Sequence, residues 1–397
     1  MNKSIHYLTL AANQNHAKAQ YKLGFIYLYD EYKSQNINKS IHYLTLAANQ
    51  NHSSVQYHLV LIYLSDKYKE KDIKKGVYYL TLASNDNIPE AQYYFGDFYY
   101  SFRYGYRDIN KSIHYFALAA NQNHIEAQFK FGLIYSDGKY IQPDMKKAIK
   151  YFILSANQNY TKAQTYLGFV YYFGIYNGKN IKKSISYFSI AANKNDPVAQ
   201  FMLGIIYYEG ENGIKDINKS IRYFTLAANQ NHAKSQYNLG VIYLNGICVP
   251  KDINEAIKYF TLSANQNDED AQYNLGLPYF YGEYVKRDIE KSIKYLLLSA
   301  KYNNVLAQNF LGSIYINGRY TKKDIQKGIH YLTLAANQKH SDALLQLGLY
   351  YYKYRKEYHK SIYYLMLSSN QNNDEAQYLL GKLCHTDSQK VYTYFLK

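Results

Sequence analysis

Twelve His and two Cys are the side chains of this 397-residue chain best suited to bind a metal or to pair as nucleophile and base. His6, His42, His114 and His330 recur at one register, and His16, His52, His124, His232 and His340 at another. Within a unit the two registers are ten residues apart across a helix end, not i and i+4 on one face. Same-register His in stacked units are expected about 10 Å apart, one helix diameter, too far to share an ion. Cys248 and Cys384 lie 136 residues apart and form neither a zinc pattern nor a disulfide framework, which fits a reducing compartment. Gly174-Ile-Tyr-Asn-Gly178-Lys179 approaches a phosphate loop, but it is one residue short, lacks the following Ser or Thr, and joins two helices where a strand should lead in. No G-x-S-x-G, H-E-x-x-H or kinase signature occurs. The expectation is a protein that is not an enzyme and needs no cofactor or metal.

The formal charge of +16 raises nucleic acid or an acidic membrane as partners. Ten of the Lys, however, occupy one ladder position: Lys3, Lys39, Lys75, Lys111, Lys147, Lys183, Lys219, Lys291, Lys327 and Lys360, and without them the balance is +6. They fall on the polar stripe of a helix, read as a solvated convex face. The ladder Tyr27, Tyr63, Tyr99, Tyr135, Tyr171, Tyr207, Tyr243, Tyr279, Tyr315 and Tyr351 is read as core packing and not as a base-stacking platform. Nucleic acid is therefore not the expected partner. No run of about 18 apolar residues and no apolar leader segment is present, so the expectation is no membrane insertion and a cytoplasmic protein, with the endoplasmic reticulum as the alternative.

The elements that position these residues follow a 36-residue beat. The Gly of A-Q-Y-x-L-G-x-I-Y recurs as Gly24, Gly96, Gly132, Gly168, Gly204, Gly240, Gly276, Gly312 and Gly348, with Val60 in the missing slot. The step to Gly381 is 33, because the segment Tyr350–Glu357 has lost three loop residues. A second phrase, K-S-I-x-Y-[LF]-x-L-A-A-N-Q-N, keeps the same beat from Ile5 to Ile362. Both phrases carry apolar positions at helical spacing, which predicts two antiparallel helices per unit and an all-α chain. Asp72, Asp108, Asp144, Asp216, Asp252, Asp288 and Asp324 precede the second helix as N-caps. The second Asn of A-A-N-Q-N (Asn15, Asn51, Asn123, Asn231) stands where a left-handed residue ends the helix. The Gly lies mid-helix at a cost of roughly 1 kcal/mol relative to Ala, so a repeated close approach between helices is expected there. About eleven repeats fill residues 1–386, and residues 387–397 read as the start of a truncated further helix.

Taken together, A-Q-Y-x-L-G-x-I-Y-x-x-G, then Asp, then K-S-x-x-Y-[FL]-x-x-A-A-x-Q-N resembles the Sel-1-like repeat (SLR) family of tetratricopeptide-like solenoids. The resemblance covers essentially the whole chain. Departures are systematic: Tyr7, Tyr43 and Tyr115 occupy the usual Trp position, Ser the first Ala position, Leu the usual Lys, and Asn the usual loop Gly. The loop Gly after the first helix survives as Gly138, Gly174, Gly210, Gly246, Gly282 and Gly318, while Asp30, Asp66, Phe102 and Tyr354 replace it and predict altered turns. The resemblance implies an α/α solenoid wound as a right-handed superhelix, with the first helices lining a concave face. It also implies a scaffold or adaptor that binds proteins or peptides there. An adaptor subunit of an endoplasmic-reticulum-associated degradation or ubiquitin-ligase assembly is the alternative. An SLR-type hydrolase is disfavoured by the presence of only two Cys.

Positions two before, one after and five after the Gly share one side of the first helix and vary from copy to copy. They carry Tyr94; Lys130 and Leu133; Tyr166, Phe169 and Phe173; Met202, Ile205 and Glu209; and Asn238 and Val241. Tyr166, Phe169, Phe173, Met202 and Ile205 make an apolar patch, read either as an interface anchor or as core between neighbouring repeats. Pro278 is expected to kink α-helical structure or end it early. Ile5, Tyr7, Leu8 and Leu10 form an apolar flank expected to favour end-to-end self-association.

Overall fold

Helical periodicity in every phrase becomes a helix in the computed structural model, which describes residues 2–29, 36–50, 53–66, 69, 71–102 and 105–386. Two compact units divide the chain, Met1–Lys194 and Asn195–Lys397. The first unit holds α1 (Asn2–Asn13), α2 (Ala17–Tyr29), α3 (Ile37–Ala48), α4 (Ser53–Leu64), α5 (Ile73–Asn85) and α6 (Pro89–Tyr100). It continues with α7 (Ile109–Asn121), α8 (Ile125–Asp137), α9 (Met145–Asn157), α10 (Thr161–Phe173) and α11 (Ile181–Ala192). The second unit holds α12 (Pro197–Glu209), α13 (Ile217–Ala228), α14 (Ala233–Asn245), α15 (Ile253–Ala264), α16 (Glu269–Tyr281) and α17 (Ile289–Lys301). After them come α18 (Val305–Asn317), α19 (Ile325–Asn337), α20 (Ser341–Tyr350), α21 (Tyr358–Ser369) and α22 (Asp374–Thr386). No strand occurs among the described residues. Even-numbered helices carry the Gly phrase and are the first helices of their repeats; odd-numbered helices carry the K-S-I phrase.

The helix ends follow the sequence closely. Each predicted Asp caps its helix by accepting the N–H three residues on, as Asp216 does from Lys219 at 2.9 Å, and Asn36 and Asn180 fill the same role. The cap's own N–H donates back to the ladder Tyr carbonyl of the first helix, Asp216 to Tyr207 at 2.9 Å, which fixes the loop at both ends. Asn15, Asn123 and Asn231 adopt left-handed φ of 61–64° as expected, and Asn51 lies outside the described residues. The surviving loop Gly are left-handed as well, and Phe102 adopts the same conformation at φ 56° without being Gly. Asp66 does not, Asp30 lies outside the described residues, and Tyr354 sits in a π-helical turn, Tyr351–Arg355, closed by left-handed Lys356. That turn absorbs the three-residue deletion.

The mid-helix Gly is explained by contact. A Cβ on Gly204 would lie 2.5 Å from the Phe224 ring, and one on Gly24 would lie 2.6 Å from Leu44. Phe116, Phe152, Phe188, Phe224 and Phe260, with Leu44, are among the most buried large side chains, and each is driven by its second helix against the bare backbone of a Gly. Pro278 corrects one expectation: α16 runs through it to Tyr281, with the Gly282 N–H closing on the Pro278 carbonyl, so the helix does not end early. The segment 387–397, read as a truncated helix, lies outside the described residues.

Candidate functional site

The variable stripe of the first unit converges on a groove. Tyr100 of α6, Lys130, Leu133 and Asp137 of α8, and Tyr166 of α10 line a cavity of about 360 Å³. The Lys130 ammonium stands 5.6 Å over the Tyr100 ring, and the Tyr166 hydroxyl lies 3.5 Å from Ser136 Oγ. The Tyr166 ring packs 4.5 Å from Phe152, so its base is anchored in the core while its hydroxyl stays at the wall. Tyr94 is half-buried against the cluster of α4 and α5 and does not line this cavity. Phe169 meets Phe188 edge to face at 5.2 Å, and Phe173 lies parallel to Phe169 at 6.1 Å with 64% of its surface exposed.

In the second unit the stripe is more occupied by packing. Met202 is only 6% exposed, so this candidate belongs to the core: its flexible chain fills space a partner would have to reach. Ile205 is half-buried beside Phe224, and Val241 beside Phe260. Glu209 is exposed. Asn238 donates from Nδ2 to the Lys234 carbonyl at 2.7 Å.

The His registers have other duties. His16, His124, His232 and His340 are N-caps of first helices, their Nδ1 accepting the N–H of Ala19, Ala127, Ser235 and Ala343 at 3.2–3.4 Å. Asp196, Asp268 and Asn304 hold the same position elsewhere. Among the described residues no group of three His, Cys, Asp or Glu is placed to hold a metal ion.

The Lys ladder is exposed, as its polar stripe predicts, yet it is not merely solvated. Lys219 sits 5.2 Å over the Tyr207 ring, which lies parallel to Tyr223 at 5.9 Å, and its Nζ is 3.0 Å from Asp216. The same Lys–Tyr–Tyr arrangement recurs from Lys39 to Lys360. Burial, and then the neighbouring phenol, raise the pKa of Tyr63, Tyr115, Tyr151 and Tyr187, and burial pushes Tyr93 up to about 12. Burial opposes the charge on Lys234, but Asp268 at 2.9 Å, with Asp270 and Glu269, holds its pKa well up. Asp268 also caps α16, so this ion pair fastens two adjacent repeats.

A feature the sequence reading passed over ties the repeats together. Gln20, Gln92, Gln128 and Gln236 are buried and donate to the last turn of the preceding second helix. Each accepts in turn from the Gln thirty residues on: Gln50, Gln122, Gln158 and Gln266 at 2.7–2.8 Å. The Gln of A-Q-Y and the Gln of N-Q-N are thus one device, and their constant spacing was the available signal.

Stacked helix pairs, close Gly contacts and a variable stripe grouped round a groove define an all-α helical repeat solenoid. The chain belongs to the Sel1 repeat family, whose repeat matches residues 1–16, 17–52, 55–87, 89–124, 125–160, 161–196, 197–232, 233–268, 269–303, 305–340 and 374–391. The unmatched stretch 341–373 contains the π-helical turn. Among solved structures the chain is similar to c5321, a protective antigen of uropathogenic Escherichia coli strains displaying an SLR fold, at 26% identity and a TM-score of 0.81 over 96% of this chain and 82% of that one. It is also similar to a Sel1 repeat protein from Oxalobacter formigenes at 25% identity and a TM-score of 0.61, covering 77% of this chain and 90% of that one. No curated protein matches.

Proposed function

We propose that this protein is a non-enzymatic scaffold that binds a protein or peptide partner along the face of its first helices. The observation that carries the reading is the groove of the first unit: the repeat positions that vary most, Lys130, Leu133, Asp137 and Tyr166, line one cavity, while the invariant positions are consumed by packing. Its walls mix an aromatic anchor, an aliphatic side chain and charges of both signs, the composition of an interface centre with a polar rim.

The test is quantitative partner capture with three proteins: the natural chain, the double variant Leu133→Asp/Tyr166→Asp, and Lys74→Asp on the second-helix face. The reading expects specific partners to be lost only with the double variant, at unchanged helicity. Equal capture by all three would overturn it.

A further inference from the structure

Helix α16 departs from a packing pattern that most first helices share, α2 and α20 aside, where Ile26 and Tyr350 are half-buried. Two residues after the repeated Gly, Ile134, Val170, Ile242 and Ile314 are buried against the bulky residue of the preceding second helix: Phe116, Phe152, Phe224 and Leu296. In α16 that position is Pro278, half-buried, and the residue it faces is Phe260. Proline inside a helix forfeits an N–H and typically costs about 3 kcal/mol or more. No tighter packing offsets this, because a Cβ on Gly276 would stand 2.9 Å from Leu296, where Gly168, Gly204 and Gly312 leave only 2.5–2.6 Å to their facing side chains. A local rule broken without a packing gain marks a functional position more often than a defect.

What the missing isoleucine leaves is a cavity of about 220 Å³ over Phe260, Ile253 and Ile257, walled by Leu277 and Pro278. An apolar cavity of about 150 Å³ already accommodates benzene. Asn274, Leu277 and Tyr281 occupy the variable stripe positions of this repeat, so the cavity opens on the proposed binding face. Tyr281 and Tyr284 stand at its mouth, 56% and 61% exposed, and Tyr284 is held at φ 67°, a backbone conformation rare for a bulky residue.

The Tyr281 and Tyr284 hydroxyls at the mouth of the cavity can donate or accept, and Lys251 stands 5.5 Å over the Tyr284 ring. Glu283 is the one charged residue that lines it. The Asn274 amide donates to the Asp270 carbonyl at 2.9 Å, and the same side chain is hydrogen-bonded to Tyr237. The Asn274 main-chain carbonyl has no N–H to meet four residues on, because that residue is Pro278.

We propose that this cavity is an anchor pocket for one aromatic or large aliphatic side chain of a partner polypeptide, with a Lys or Arg next to it in sequence paired to Glu283. The apolar floor selects the first residue, and the Glu283 carboxylate selects a cationic neighbour over an acidic one. This deepens the protein-binding reading and rests on it.

Methyl-detected NMR of the full chain, labelled at Ile and Leu, tests the pocket with three probes: acetyl-Phe-Arg-amide, acetyl-Phe-Glu-amide and acetyl-Gly-Arg-amide. The Phe-Arg probe is expected to shift Ile253, Ile257, Leu244 and Leu277 and to bind at least about threefold tighter than Phe-Glu, the range of a rim ion pair. Gly-Arg is expected to shift none of them. Glu283→Gln should equalise the first two probes, and Pro278→Ile, which restores the side chain of the other repeats, should abolish both while the chain stays folded. Absence of shifts with Phe-Arg, or shifts that survive Pro278→Ile, overturns the pocket. Partner capture by the Pro278→Ile protein separates the two levels: retained capture with lost probe binding places the partner elsewhere on the scaffold, whereas loss of both places it on this pocket.

Discussion

Ser220 Oγ donates a 2.7 Å hydrogen bond to the carbonyl of Gly204, across the same contact in which the Phe224 ring closes on the Gly. The pair recurs as Ser40 on Gly24, Ser112 on Gly96, Ser184 on Gly168, Ser292 on Gly276 and Ser361 on Gly348 at 2.7–2.9 Å. The Gly lets two helices approach; the Ser, one turn below the aromatic, ties the exposed backbone of one to the other. Gly204→Ala is expected to destabilise by about 1–3 kcal/mol through overpacking, and Ser220→Ala by only about 0.5–1.5 kcal/mol through one lost hydrogen bond. Urea unfolding of the two variants checks the order, and a larger loss for Ser220→Ala would show that the contact is not governed by space.

The Gln ladder predicts stabilising substitutions. Gln56 Oε1 and Gln272 Oε1 are buried without a partner. Thirty residues on, where a donor Gln stands in other repeats, the chain has Asp86 and Tyr302. Tyr302→Gln and Asp86→Gln should each raise stability by about 1 kcal/mol by satisfying the orphaned acceptor. Unchanged or lower melting temperatures would contradict the assignment of the ladder.

How much of this was legible follows from what each residue does. Asp216, Asn231 and the mid-helix Gly act within their own helix or on one neighbour, and their positions in the 36-residue beat disclosed the role. The Gln ladder joins residues thirty apart in adjacent repeats, so its pairing appears only once repeats stack, whereas the Lys–Tyr–Tyr stacks form between the two helices of one repeat. His124 is a different case: the sequence set aside a metal role for its register, and the structure gives it the cap position that Asp and Asn fill elsewhere. Met202 lies at an equivalent angle to Tyr166, and nothing in helical periodicity distinguishes a stripe residue turned inward from one lining a groove.

His124 and His232 cap their helices only while Nδ1 is unprotonated, and burial lowers both pKa values, outweighing the nearby carboxylates. The unfolded chain, with His near its ordinary value of about 6.5, then binds protons that the folded chain refuses. Stability is expected to fall as pH drops from 7 through that window. His124→Asn, which caps without titrating, should remove part of the fall, and each cap is worth about 1 kcal/mol. Thermal melts at pH 7 and pH 5 read this directly.

Phe169 and Phe173 differ in kind although they stack on each other. Phe169 packs on buried Phe188, whereas Phe173 is largely exposed. Phe173→Asp should change stability by no more than about 0.5 kcal/mol, and Phe169→Asp by about 2 kcal/mol or more, since a carboxylate would be set against an aromatic core. Equal melting temperatures for the two would show that Phe169 is as free as Phe173.

The most direct measurement of the scaffold account is site-specific photocrosslinking of the full chain in its native extract. A benzophenone side chain replaces Tyr166, at the groove wall of the first helices, or Tyr78, exposed on α5 among the second helices. The account predicts discrete protein crosslinks from position 166, competed away by unlabelled natural protein, and none of that kind from position 78. Crosslinks confined to position 78, or identical from both positions, would contradict it.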